Sequence, residues 1–80
     1  MIDKLEHGRV YASDDGYKET VYIYGDVAAR VGDIDDGICI WCSDIETTLE
    51  LLNSWDMNAT SMIVEDTEEI RNEVMKMANE

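Results

Sequence analysis

The chain contains no proline, no phenylalanine, one histidine, and only six lysines and arginines among 80 residues. With no proline, no repeat and no low-complexity stretch, nothing marks a linker, and residues 1–80 read as a single domain. The shortage of cations argues against direct nucleic-acid binding, which needs a positive surface. It argues equally against docking on an anionic membrane. No apolar run approaches the ~20 residues of a membrane-spanning helix. The opening Met-Ile-Asp-Lys-Leu-Glu-His lacks the basic and apolar regions of a signal peptide. Two cysteines without such a signal lead us to expect a reducing cytoplasm, or the host cytoplasm if the chain is phage-encoded. Material for catalysis is scarce as well. His7 lies in a polar leading segment, residues 1–7, expected to fray or to form a short lead-in. There is no Gly-x-Ser-x-Gly elbow and no glycine-rich phosphate loop. We therefore expect neither an enzyme nor a cofactor.

What the chain has in abundance is acid: 19 Asp and Glu, a formal net charge of −13 and a pI near 4.1. Hydrophobic residues still make up 45% of it, enough for a core and more than disordered acidic tails carry. Halophilic adaptation also produces acidic surfaces, but the clustering of the acids, eight isoleucines and two cysteines weigh against it. A domain this small buries only about 60% of its unfolded surface. Its net stability is about 5–8 kcal/mol, and it has no room for a deep cleft. Such a charge favours a basic partner surface, met quickly and with strong salt dependence.

Along the chain, residues 8–13 read as a strand, with Val10 and Tyr11 as β-formers, and Asp14-Asp15-Gly16 as a turn. Residues 17–24 alternate, with Val21 and Ile23 on one face and Tyr22 and Tyr24 on the other. After Gly25-Asp26, residues 27–31 form a third strand or continue the second past a bulge. Residues 32–37 read as an acidic loop. Ile38 to Cys42 is apolar at nearly every position and reads as a central strand covered on at least one face. Ser43-Asp44-Ile45-Glu46 matches a capping box. Ile45, Leu49, Leu52 and Trp55 then form the inner face of a helix ending near Asp56. A short strand over 61–64 and a second helix opening at Asp66-Thr67-Glu68-Glu69 complete the pattern, with Ile70, Val74, Met77 and Ala78 facing inward. Strands first and helices later predict an α+β fold: a three- or four-stranded antiparallel sheet with two helices packed on one face. The opposite face would then present Tyr22 and Tyr24, partly exposed, as a binding surface.

Several motifs weaken on inspection. Cys39-Ile40-Trp41-Cys42 has redox spacing, but residues three apart on a strand point to opposite faces, so the two sulfurs would not meet. Two cysteines and His7 fall short of the four ligands zinc takes. Asp33, Asp35 and Asp36 do not fit a calcium loop in either register, because glycines or isoleucines fall on ligand positions. Four acidic clusters remain: Asp14-Asp15; Asp33, Asp35 and Asp36; Asp44, Glu46 and Glu50; and Glu65-Asp66 with Glu68-Glu69. Two sit at expected hairpin tips and two at helix starts. There they serve solvation and capping, or form an anionic surface patterned at nucleic-acid charge spacing. All six aromatics are Tyr or Trp, residues suited to half-wet interfaces.

Acid clusters, tyrosine-bearing strands and strand-then-helix order over nearly the whole chain resemble a class of small acidic inhibitors from phages and mobile elements. These are anti-CRISPR proteins, anti-restriction proteins and other DNA mimics. The resemblance is one of class and carries no motif. It implies binding without catalysis to the basic surface of a nucleic-acid-binding protein or nuclease complex of a host defence system. Asp14, Asp15, Tyr22, Tyr24, Asp33, Asp35, Asp36, Glu65, Asp66, Glu68 and Glu69 are the candidate partner-binding residues. The alternative is a protein–protein interaction subunit of antitoxin, immunity or adaptor type, or a homodimer.

Overall fold

A computed structural model of the chain describes residues 1–34 and 37–78. Its elements are β1 (Arg9–Ala12), β2 (Lys18–Tyr24), β3 (Val27–Ile34), β4 (Gly37–Asp44), α1 (Ile45–Ser54), β5 (Asn58–Ile63) and α2 (Glu68–Ala78). They build an α+β fold around one five-stranded sheet in the order β4-β3-β2-β1-β5, with every neighbouring pair antiparallel. The sheet thus has five strands rather than the three or four expected. β1 to β4 form a meander, and α1 then carries the chain across the whole sheet to its far edge. The residues 58–61 that begin β5 are small or polar and give no strand signal of their own. Pairing with β1 makes them a strand.

Cross-strand register defines the two faces. Tyr11 lies opposite Glu19, Arg9 opposite Val21, and Ile23 opposite Ala28. On this face Leu52 of α1 packs with Tyr11, Val21, Ala28 and Met57, while Ile45 and Leu49 lie half-buried alongside. Burying a leucine this fully contributes about 2 kcal/mol. Ile2 and Leu5 join the same cluster, so the leading segment is docked and not frayed. The Ile2 N–H donates to Asn53 Oδ1 at 2.8 Å, and Asn53 Nδ2 donates back to the Ile2 carbonyl at 3.0 Å. Trp55, expected inside, is 44% exposed: it is the C-cap residue, one step beyond the last helical turn.

The second helix takes the opposite face, so the two helices do not share one. Ile38 and Ile40, which alternate with Cys39 and Trp41 along β4, line a groove with Thr67 and Ile70 at the start of α2. Val10, Tyr22 and Ala29 are buried on this side, and so is Val74 of α2. The reason is topological. α1 covers one face in crossing to β5, and the chain leaving β5 meets the uncovered apolar row on the other. Tyr22 is consequently only 2% exposed, not a residue of an open face, and Tyr24 is half-buried. Of the expected inner residues of α2, Ile70 is half-buried and Val74 buried, whereas Met77 is exposed.

Four local features complete the frame. β4 lies at an edge, not in the centre; its apolar run supplies residues to both faces. β3 and β4 extend to Ile34 and from Gly37, so most of the expected acidic loop is strand. Because β4 keeps its pairing through Ser43 and Asp44, the helix cap falls on Asp44, whose carboxylate accepts from the Thr47 N–H at 3.1 Å, and not on Ser43. At the other edge, Gly8 has φ +79°, and a Cβ there would meet the Val64 carbonyl oxygen at 2.5 Å, so only glycine lets β5 close on the chain before β1.

Candidate functional site

The cations explain the surface field. Every arginine is held by a carboxylate within the molecule: Arg9 by Glu6 at 2.6 Å, Arg30 by Glu19 at 3.1 Å, and Arg71 by Asp66 at 3.7 Å. Only the three lysines, Lys4, Lys18 and Lys76, take part in no such pair among the described residues. The surplus acid therefore faces solvent almost undiluted.

Topology sorts the acidic clusters into two groups. The β1–β2 and β3–β4 connections lie at one end of the sheet, with the C-terminus of α1. Asp14, Asp15 and Asp33 are exposed there, and Asp14 and Asp56 line a common cleft of about 210 Å³. Asp35 and Asp36 lie outside the described residues. Asp44 and Glu46, opening α1, stand at the other end with Glu65, Asp66, Glu68 and Glu69. Strands of this length put the ends about 25 Å apart. The clusters therefore form two belts, one at each end of the sheet.

Some of these acids also have structural partners. Asp15 accepts from the Ser13 hydroxyl and, at 3.2 Å, from the Tyr17 N–H. These bonds, Ser13's foremost, hold its carboxyl below the usual range. Asp66 accepts from the Tyr24 hydroxyl at 2.7 Å and lies 3.7 Å from His7 Nε2. The Tyr24 bond, then Arg71 and His7, keep the Asp66 carboxyl low. The His7 ring stands edge-on to Tyr22 and Tyr24, and its Nδ1 accepts from the Ile23 N–H at 2.9 Å. This His7–Tyr24–Asp66 latch pins the start of α2 to the sheet. Glu65, Glu68 and Glu69 are exposed on the surface beside it.

Sequence reasoning missed the buried polar centre on the α1 face. Glu19 is 1% exposed and accepts from Arg30 Nη1 with both oxygens at 3.1 Å and from the Tyr17 hydroxyl at 2.5 Å. The Arg30 guanidinium lies 5.0 Å from the Trp41 ring and 5.3 Å from the Trp55 ring. Burial first, and the bond to Glu19 second, push the Tyr17 phenol up to about 12. Gly32 stands opposite Glu19, and a Cβ there would lie 3.0 Å from the Tyr17 hydroxyl, so its bareness makes room for the cluster. The available signal was strand alternation, which places Glu19 on the same inward face as Val21.

The groove between β4 and α2 has a volume of about 400 Å³. Ile38, Ile40 and Ile70 form its apolar part, and Glu69 and Glu73 stand at it from the helix. On the uncovered part of the same face a larger groove of about 490 Å³ runs past Val10, Thr20, Val31, Met62 and Val64. Cys39 and Cys42 pair opposite Gly32 and Ala29 respectively and lie on opposite faces as free thiols. Burial raises the Cys42 thiol, the reverse of an activated cysteine. Among the described residues no three His, Cys, Asp or Glu side chains come together as a metal site, and no helix is long and apolar enough to cross a membrane. No protein-family model matches the chain, and neither does a curated protein or a solved structure.

Proposed function

We propose that the protein is a non-enzymatic inhibitor that binds the basic surface of a nucleic-acid-binding protein or nuclease complex of a host defence system, in the manner of anti-CRISPR proteins and DNA mimics. The observation that carries this reading is the internal pairing of all three arginines, which leaves the belt acids other than Asp66 to act outward. Such a field speeds encounter with a cationic groove and repels nucleic acid itself. Affinity capture on the tagged protein tests this, with duplex DNA as the eluent. Retention of a nucleic-acid-binding protein that DNA displaces supports the reading; retained partners that DNA leaves in place overturn it. Changing Asp33, Asp35 and Asp36 together to Asn weakens that partner tenfold or more, about 1.4 kcal/mol. Unchanged affinity assigns binding to the belt at the start of α2.

A second reading, a subunit of antitoxin or immunity type or a homodimer, is favoured by the apolar residues at the edge of β5. Met62 and Ile63 are each 59% exposed. That reading predicts binding that survives high salt.

A further inference from the structure

In a chain so rich in acid, the two sheet edges have no charged side chain over residues 37–43 and 57–64. Edge strands are ordinarily guarded by charge, by a bulge or by shortness, because their unpaired N–H and C=O groups invite another strand. β5 is guarded. Its register with β1 shifts between Arg9 and Tyr11, a bulge that twists the edge away, and Arg9 Nη1 donates to the Thr60 carbonyl at 2.7 Å. β4 has no bulge, and its one charge is Asp44 at its very end; α2 packs against it at Ile38 and Ile40. β4 pairs with β3 without a slip from Val27–Asp44 to Ile34–Gly37, and among the described residues no strand lies on its other side.

We propose that the free edge of β4, with the groove beneath α2, receives an extended basic segment of the partner by strand addition. This deepens the function proposed above and rests on its premise of a basic partner. The partner's backbone would pair with alternate residues of β4. Its side chains on the α2 side would place an aliphatic group among Ile38, Ile40 and Ile70, and Lys or Arg groups beside Glu69 and Glu73. Ile38, 66% exposed, is the apolar residue left uncovered for that contact. A second copy of this chain fits poorly. Two β4 strands paired antiparallel about a two-fold axis would bring two α2 helices, with their Glu69 and Glu73, together on one face. Like charges so placed repel.

The test uses a short peptide alternating lysine or arginine with valine or isoleucine, titrated into isotopically labelled protein. Amide resonances of residues 37–44 and of α2 around Ile70 and Glu73 are expected to shift. Methylating alternate backbone nitrogens of the peptide should abolish binding, and Ile38→Lys, a change at an exposed position, should weaken it tenfold or more. A glutamate-based peptide of the same apolar pattern should not bind. Shifts confined to the acidic belts, indifference to backbone methylation, or equal binding of the acidic peptide each overturn the proposal. So does a concentration-dependent dimer that Ile38→Lys dissolves, which would give the edge to a second copy. The same variant in the capture experiment separates this proposal from the broader reading. If Ile38→Lys still retains a DNA-displaceable partner, the edge proposal falls and the anionic reading stands. If the peptide binds β4 but the unaltered protein retains nothing that DNA displaces, the edge stands and the anionic reading falls.

Discussion

The two faces of the sheet are closed by different means. On the α1 face a helix that spans the sheet seals Tyr11, Val21, Ala28 and Leu52 into a continuous core and covers a buried ion pair. On the α2 face a helix that buries Val74 is fastened at its start by the His7–Tyr24–Asp66 latch, and part of the sheet beside it stays open. A protein of about 80 residues has apolar surface for one good core. This one concentrates it on one side and leaves grooves on the other. Stability is thereby concentrated on one face, and the open grooves lie on the other.

Substitutions sharpen that contrast. The largest effect belongs to the α1 face. Arg30→Ala leaves Glu19 buried without its countercharge and should cost about 3–5 kcal/mol, a large share of the whole stability, measured by urea unfolding. Leu52→Ala should follow at about 3 kcal/mol. On the α2 face, Val74→Ala should cost about 2 kcal/mol, with the loss of amide-exchange protection greatest in α2. If Val74→Ala proves as costly as Arg30→Ala, the asymmetry is wrong. Trp55→Ala should cost only about 1 kcal/mol, mostly its stacking on Arg30. Tyr24→Phe opens the latch and should raise exchange in α2 with little change in the sheet.

The same contrast has a pH signature. Tyr11, Tyr17, Tyr22 and Tyr24 all titrate above the ordinary tyrosine range, with burial the first cause in each and Tyr17 at about 12. Their raised values mean a stabilising contribution fully present below about pH 10 and lost as pH climbs through the folded values. Phenolate absorbance should therefore stay low past pH 10 and rise together with unfolding; an early, ordinary titration of any tyrosine would show that face to be loose. Asp66, held low, works in the opposite sense. Its contribution is present above about pH 4 and fades as pH falls through its depressed value. Protection of α2 should fail there before that of the sheet.

Much of the fold was legible, because alternation and capping are local. The strands around Tyr11, Val21 and Ile40, the helix around Leu52 and the acid-led start of α2 all stand where pattern places them. What the pattern could not carry is choice of neighbour. Ile38 to Cys42 has the composition of a central strand, yet its place at the edge follows from α1 crossing to the other side. The sides taken by the two helices, the burial of Tyr22 and the docking of Ile2 follow from the same crossing. The candidate site was legible as charge and not as geometry. The acids at Asp14, Asp15 and Asp33 are exposed as expected, Asp66 is a latch, and the Glu19–Arg30 pair was hidden among many similar carboxylates.

The crossing also sets a timetable for folding. β1 to β4 can zip together by successive hairpins, whereas Arg9 must find Thr60, and Ile2 must find Asn53, each 51 residues away. Contacts so distant in the chain carry a loop-closure cost and form late. Substitutions in β5 and in the leading segment should accordingly leave the folding rate nearly unchanged and speed unfolding. The last strand to join the sheet is then the first to let go, and the half-life of the native state is governed at the edge where the chain returns to its beginning.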